Sequence, residues 1–126
     1  MYTNAFIAIG LGAMIGAWMR WGLGIWLNPL FPSLPLGTLA ANLIGGYAIG
    51  LTIAWLIEHP SLPPEVRLFL ITGLLGGLTT YSTYSAEVVM ALSRGLWLSA
   101  GMIAFSHMAG SFIATGLGFY SIRLLR

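Results

Sequence analysis

Four runs of apolar residues, each close to the length a helix needs to cross a bilayer, fill almost all of this 126-residue chain. A helix spans the hydrocarbon core with about 20 apolar residues. The runs cover roughly residues 5–27, 37–57, 66–92 and 96–122. Asn28-Pro-Leu-Phe-Pro-Ser-Leu-Pro35, with three prolines, interrupts the pattern first. Glu58-His-Pro-Ser-Leu-Pro-Pro-Glu65 interrupts it next, and Ser93-Arg94-Gly95 last. Within lipid every backbone polar group must be paired inside the protein, which long apolar runs achieve as helices. The expected fold is therefore all-α: one integral-membrane domain over residues 1–126, built as a bundle of four transmembrane helices.

Charge points the same way. Only 6% of residues are charged and 58% are hydrophobic, whereas soluble domains carry about 25% charged residues. A water-facing surface cannot be assembled from so few polar groups, so the lipid bilayer is the expected solvent. The five basic residues are all arginines and lie scattered, which gives no basic patch for nucleic acid. The chain has no cysteine, which excludes disulfides, thiolate metal sites and thiol nucleophiles. Met1-Tyr2-Thr3-Asn4 lacks the positive region of a secretory signal, and the first run reads as a retained helix.

An even number of spans places both termini on one side, together with Glu58, Glu65, Arg67, Arg123 and Arg126. The opposite side holds Arg94, with Arg20 toward the end of the first run. Basic residues set orientation, and three against two is a slight bias. A chain so balanced is expected to insert in both orientations and to pair head to tail.

Small residues recur at helical spacing in Gly12-x-x-x-Gly16, Gly46-x-x-x-Gly50 and Gly110-x-x-x-Ala114-x-x-x-Gly118. Such stripes let helices approach closely, within one bundle or in a compact oligomer. Polar residues follow the same geometry. Arg20 continues the Gly12/Gly16 stripe and so lies on the packed face, either as a fixed positive charge near the mouth of an anion path or snorkelling to the interface. Thr38 and Asn42 share a face with Gly45 and Gly46, where the carboxamide serves either as interhelical glue or as a donor to a ligand. In the third run Thr79, Thr83 and Glu87 stand at i, i+4 and i+8, with Tyr81 and Tyr84 beside them. Gly76-Gly77 is a poor helix interior. A break there would free carbonyl oxygens, which are hard ligands suited to a cation. In the fourth run His107, Ser111 and Thr115 repeat the four-residue spacing.

These faces offer neutral donors and ring edges, with one arginine and one acid. No nucleophile–base set, carboxylate pair or phosphate loop accompanies them, so no enzyme is expected. A donor-lined path suits a small, strongly hydrated anion, because N–H and O–H groups replace its water and ring edges are electropositive.

The chain resembles the Fluc (CrcB) fluoride channels of bacteria over nearly its whole length. The resemblance rests on Gly12-Ala-Met-Ile-Gly-Ala-Trp-Met-Arg20, Gly37-Thr-Leu-Ala-Ala-Asn42, His107-Met-Ala-Gly-Ser111 with Thr115, and above all Gly73-Leu-Leu-Gly-Gly-Leu-Thr-Thr-Tyr-Ser-Thr-Tyr-Ser-Ala-Glu87. It implies a dual-topology antiparallel homodimer in the bacterial cytoplasmic (inner) membrane, with a broken third helix and two pores that export fluoride passively. It implies that Asn42 donates to fluoride, that the rings at 81 and 84 meet the ion edge-on, and that Ser82, Thr83, Ser111 and Thr115 continue the path. It places Thr38 by a break in the second helix and Glu87 on the polar track. It further implies a structural Na+ at the dimer centre, held by the backbone carbonyls of Gly76 and Thr79 from both subunits.

One departure stands out. The family pattern has phenylalanine at both ring positions, where this chain has Tyr81 and Tyr84. The added hydroxyls could donate to fluoride, bind it too tightly, or relax selectivity toward chloride. Glu87 leaves two arrangements open: a neutral carboxyl that donates, or a carboxylate paired with hydroxyls off the ion route. Two other functions fit a small membrane protein. One is a proton-coupled drug exporter of dual topology, although such exporters rely on an acid in the first span and this chain has none there. The other is a passive assembly subunit whose polar faces only dock partners.

Overall fold

A computed structural model describes residues 2–125. Met1 and Arg126, both used in the sequence reading, lie outside them. Helix α1 (Tyr2–Leu27) runs into a 3-10 turn, Asn28–Leu30. Helix α2 (Leu36–Glu58) follows without interruption, so Thr38 lies in its first turn and not beside a break. The third apolar run is segmented into α3 (Pro64–Arg67), a π-helical stretch (Leu68–Leu75), α4 (Gly76–Leu78) and α5 (Tyr81–Ser93). Helix α6 (Trp97–Leu124) completes the chain, and no strand occurs among the described residues.

Local chemistry sets these boundaries. Pro29 ends α1, since it offers no N–H to continue the helix. Asn28 then reaches forward, its Oδ1 accepting from the N–H groups of Gly37 (2.7 Å) and Thr38 (3.3 Å) to cap α2. Helix α5 stops at Gly95, whose φ of 72° is the one positive φ among the described residues. Leu96 N–H returns to Ala91 O (2.9 Å) and Gly95 N–H to Leu92 O (3.0 Å), the paired bonds that close a helix on a left-handed glycine.

Three helices are long and apolar enough to cross a membrane: Tyr2–Leu30, Leu36–Glu58 and Trp97–Leu124. Their outer faces carry Phe6, Trp18, Trp21, Trp26, Trp97, Phe105 and Phe112 exposed. The interior is small by contrast, with Ala41, Leu75 and Leu78 in one cluster and Ala91, Ala100 and Ile103 in another. This inside-out distribution is what a lipid solvent permits.

The small-residue stripes are used within the chain. Gly12 and Gly16 face the third run, where a Cβ on Gly12 would lie 2.7 Å from Leu74 N and one on Gly16 2.7 Å from Leu78 N. Gly46 and Gly50 face α6 at Ser111 and Phe119, and Gly118 faces α2 at Tyr47. These stripes therefore carry no argument for a second copy. The third run also departs from the sequence reading in where it loses its helix. Gly76 and Gly77 are helical, while Thr79 (ψ 156°) and Thr80 (φ −151°, ψ 121°) are extended. Gly77 serves close approach instead, since a Cβ there would lie 3.0 Å from Ala13 Cα on α1.

Candidate functional site

The two extended residues are held from across the bundle. Asn42, on α2, accepts from Thr80 N–H at Oδ1 (2.7 Å) and donates from Nδ2 to Thr80 O (2.9 Å). The carboxamide thus pairs with both backbone groups of Thr80 as a neighbouring strand would. Its Nδ2 also lies 2.8 Å from His107 Nδ1 on α6. Asn42 is 8% exposed, Thr80 8% and His107 2%, so these bonds form out of reach of solvent. Thr80 has a further role as cap of α5, its Oγ accepting from Thr83 N–H (3.1 Å). The Thr80 hydroxyl in turn donates to Thr83 Oγ (3.1 Å) and lies 3.4 Å from Ser82 Oγ.

A cavity of about 480 Å³ opens beside this junction, and Asn42, Thr79, Tyr81, Tyr84, His107 and Ser111 are on its wall. Tyr84 stacks on His107, with ring centroids 4.6 Å apart and planes 11° apart. Tyr81 meets Tyr84 edge-on at 5.1 Å and 89°. Among the described residues, no charged one lines this cavity. On the other side of Thr80 a second cavity of about 520 Å³ is lined by Arg20, Asn28, Thr38, Thr80 and Thr83. Thr80 belongs to both walls, so the extended segment stands between a neutral, mostly apolar space and one that carries a cation.

Arg20 is anchored here, its Nε donating to Gly77 O (3.1 Å) at the end of α4. That bond satisfies a carbonyl near the point where the helix stops, and it fixes the guanidinium on the packed side rather than at the lipid interface. Thr38 Oγ donates to Glu87 Oε1 (2.6 Å), while Glu87 Oε2 is buried without a partner. Glu87 lines neither large cavity. It lies with Arg94 and Ser99 on the wall of a smaller one of about 130 Å³.

The remaining sequence candidates divide. Ser111 is on the wall of the neutral cavity. Thr115 instead lies over Gly46, where its Oγ would be 3.2 Å from an added Cβ, so it belongs to the α2–α6 contact. Tyr81 and Ser82 are exposed, Tyr81 by 77%. Gly76 is exposed and lines no cavity described here, whereas Thr79 reaches the neutral one. Two contributors escaped sequence reading. Asn28 looked like loop, and the backbone of Thr80 is invisible in any side-chain pattern. A Thr80-x-x-Thr83 capping signal was present, but the apolar run around it concealed a helix start.

Residues 7–119 match the family described as CrcB-like protein, Camphor Resistance (CrcB). A protein of Thiobacillus denitrificans named fluoride-specific ion channel FluC is 71% identical over 123 residues, covering 98% of this chain and 99% of that protein. Proteins of the same name from Nitrosospira multiformis and Pseudomonas putida are 57% and 60% identical, over 99% and 91% of this chain and 98% and 91% of their own lengths. The chain belongs to the CrcB family.

Proposed function

We propose that this chain is a fluoride-selective ion channel that passively exports fluoride from the bacterial cytoplasm and so relieves its toxicity. The observation that carries the reading is the uncharged cavity at the Asn42–Thr80–His107 junction, a mostly apolar space with Ile49, Leu75, Met108 and Phe112 on its wall, into which hydroxyl, amide and imidazole groups are set. Fluoride holds its water strongly, and such groups replace that shell without the strong trapping a fixed cation would impose. The adjoining cavity carries Arg20, which would raise the local anion concentration at the approach. The names of the relatives support the same ion. Conduction of this kind is transport, with no enzymatic step.

In this reading the third run is a fourth crossing, broken at Thr79–Thr80, and the protein sits multi-pass in the inner membrane. The working unit is an antiparallel, dual-topology homodimer. Tyr81 and Ser82 are exposed on a single chain, and their hydroxyls would be costly to leave facing hydrocarbon. A second copy would cover them and complete each pore, with Thr38, Asn42, Tyr81, Ser82, Thr83, Tyr84 and Ser111 along the route. The same pairing would bring two sets of Gly76 and Thr79 carbonyls together for Na+. The donor chemistry fits that ion. Thr80 N–H, the ordinary helical partner of Gly76 O, is spent on Asn42, and Thr79 is extended. Among the described residues no cluster of His, Cys, Asp or Glu competes as a metal site.

Purified protein in liposomes is expected to release fluoride down its gradient while chloride is retained, as read by ion-selective electrodes. Vesicles that hold their fluoride would refute the channel. The tyrosines give a finer test. Tyr81→Phe and Tyr84→Phe are each expected to change fluoride flux about threefold to tenfold, the scale of one ordinary net hydrogen bond, with the dimer intact by size-exclusion chromatography. Wild-type flux in both variants would mean that the rings do not touch the ion.

A further inference from the structure

The extended Thr79 is held as firmly as Thr80, but by a different device. Its N–H and its hydroxyl both donate to Leu75 O (3.0 and 2.8 Å), which leaves the γ-methyl as the other branch of the side chain. That methyl fills the space over Gly45, a buried glycine on α2 three residues beyond Asn42. A Cβ on Gly45 would collide with Thr79 Cγ2. Its next neighbours, Thr79 Cβ and Leu78 Cδ2, would both lie at 3.7 Å, which is ordinary contact. The conflict is therefore with one methyl group.

The peptide that joins the two extended residues decides where a carbonyl points. Thr79 C=O and Thr80 N–H belong to one planar trans unit and point in opposite directions. Thr80 N–H is directed at Asn42 on α2 (2.7 Å), so Thr79 C=O is directed away from α2. The N–H, hydroxyl and methyl of Thr79 are all engaged, and that leaves its carbonyl little freedom to swing.

We infer that Gly45 is a positioning residue for the cation site: its bare Cα is the socket for the Thr79 methyl group, and the seated threonine holds its carbonyl in the direction in which it serves Na+. The inference rests on the reading that Gly76 and Thr79 carbonyls from two copies hold that ion. Gly45 touches neither the cation nor fluoride in this role. Alanine at 45 must push the Thr79 side chain aside, which turns the residue and takes the carbonyl off its line. Serine at 79 keeps the hydroxyl for Leu75 O and lacks the methyl, so Thr79→Ser relieves the conflict that Gly45→Ala creates.

The test is a Na+ titration of thermal unfolding, with the purified protein in mixed micelles and N-methylglucamine chloride replacing NaCl at constant ionic strength. A ligand that binds only the folded protein raises the midpoint, so wild type is expected to melt higher as Na+ rises. Gly45→Ala is expected to need about tenfold more Na+ for the same rise, the scale of one methyl forced into a packed site. Gly45→Ala combined with Thr79→Ser is expected to return to within about threefold of wild type. An unshifted titration in Gly45→Ala overturns the inference. So does a double variant no better than Gly45→Ala, because the methyl is then not what the glycine accommodates. If Gly45→Ala alone yields no folded protein, the double variant decides: a folded, Na+-responsive protein upholds the socket, and a second failure to fold overturns it. A wild type whose midpoint ignores Na+ refutes the cation reading and this inference with it. A responsive wild type beside an equally responsive Gly45→Ala refutes this inference alone.

Discussion

Leucine at position 118 is expected to leave no folded protein in the membrane, and alanine there to destabilise it by about 2–3 kcal/mol, the upper part of the overpacking range. Gly118 is where α6 crosses α2 with backbone against backbone. An added Cβ would collide with the Tyr47 carbonyl oxygen and lie 2.9 Å from its carbon and 3.0 Å from Leu51 N. The facing residue is equally confined, since a Cβ on Gly50 would lie 2.7 Å from Phe119 N and 3.1 Å from Gly118 C. No flexible side chain stands in the way that could rotate aside, so any larger residue must push the helices apart. Separation at this crossing also displaces Gly46 from Ser111 and Thr115, and with it the α6 side of the neutral cavity. Helix propensity acts in the opposite sense, favouring alanine over glycine by about 1 kcal/mol. The control is therefore Gly10→Ala, where a Cβ meets nothing within 4 Å and propensity acts alone. Unfolding in mixed micelles should show Gly10→Ala at or above wild type and Gly118→Ala well below. The reverse order would mean that this crossing is looser than its geometry indicates.

Those glycine stripes were legible in the sequence because helical spacing alone puts Gly46 and Gly50, or Gly110 and Gly118, on one face. The long helices were legible for the same reason, and runs placed near 5–27, 37–57 and 96–122 became Tyr2–Leu27, Leu36–Glu58 and Trp97–Leu124. Periodicity reports which residues share a face, not what stands opposite. It grouped His107 with Ser111 and Thr115, yet His107 turns to an amide 65 positions earlier and Thr115 to a glycine. The interruption of the third run failed differently. Propensity pointed to Gly76-Gly77, but close packing on α1 compensates a weak helix former there. The helix yields at Thr79–Thr80 because Asn42 offers Thr80 a partner for both of its backbone groups. Arg20 was placed correctly on the packed side, while its acceptor, the Gly77 carbonyl, could not be read from residue types.

That dependence on one side chain gives the second large effect. Asn42→Ala is expected to lower fluoride flux about a hundredfold. It removes three buried hydrogen bonds at about 1 kcal/mol net each, and each factor of ten in rate corresponds to about 1.4 kcal/mol. The loss would come from disorder at the partition: Thr80 N–H and C=O would be left buried and unpaired, and His107 Nδ1 would lose its donor. Asn42→Asp separates shape from chemistry. It preserves the volume and the acceptor for Thr80 N–H, but it turns a second oxygen toward Thr80 O, which can only accept, and toward His107 Nδ1, which must then take the ring's proton in order to pair with it. Aspartate should therefore conduct no better than alanine, and wild-type flux in Asn42→Asp would sink the account. Amide hydrogen exchange at Thr80 should quicken in Asn42→Ala and stay slow in Asn42→Asp, because only alanine abolishes the acceptor.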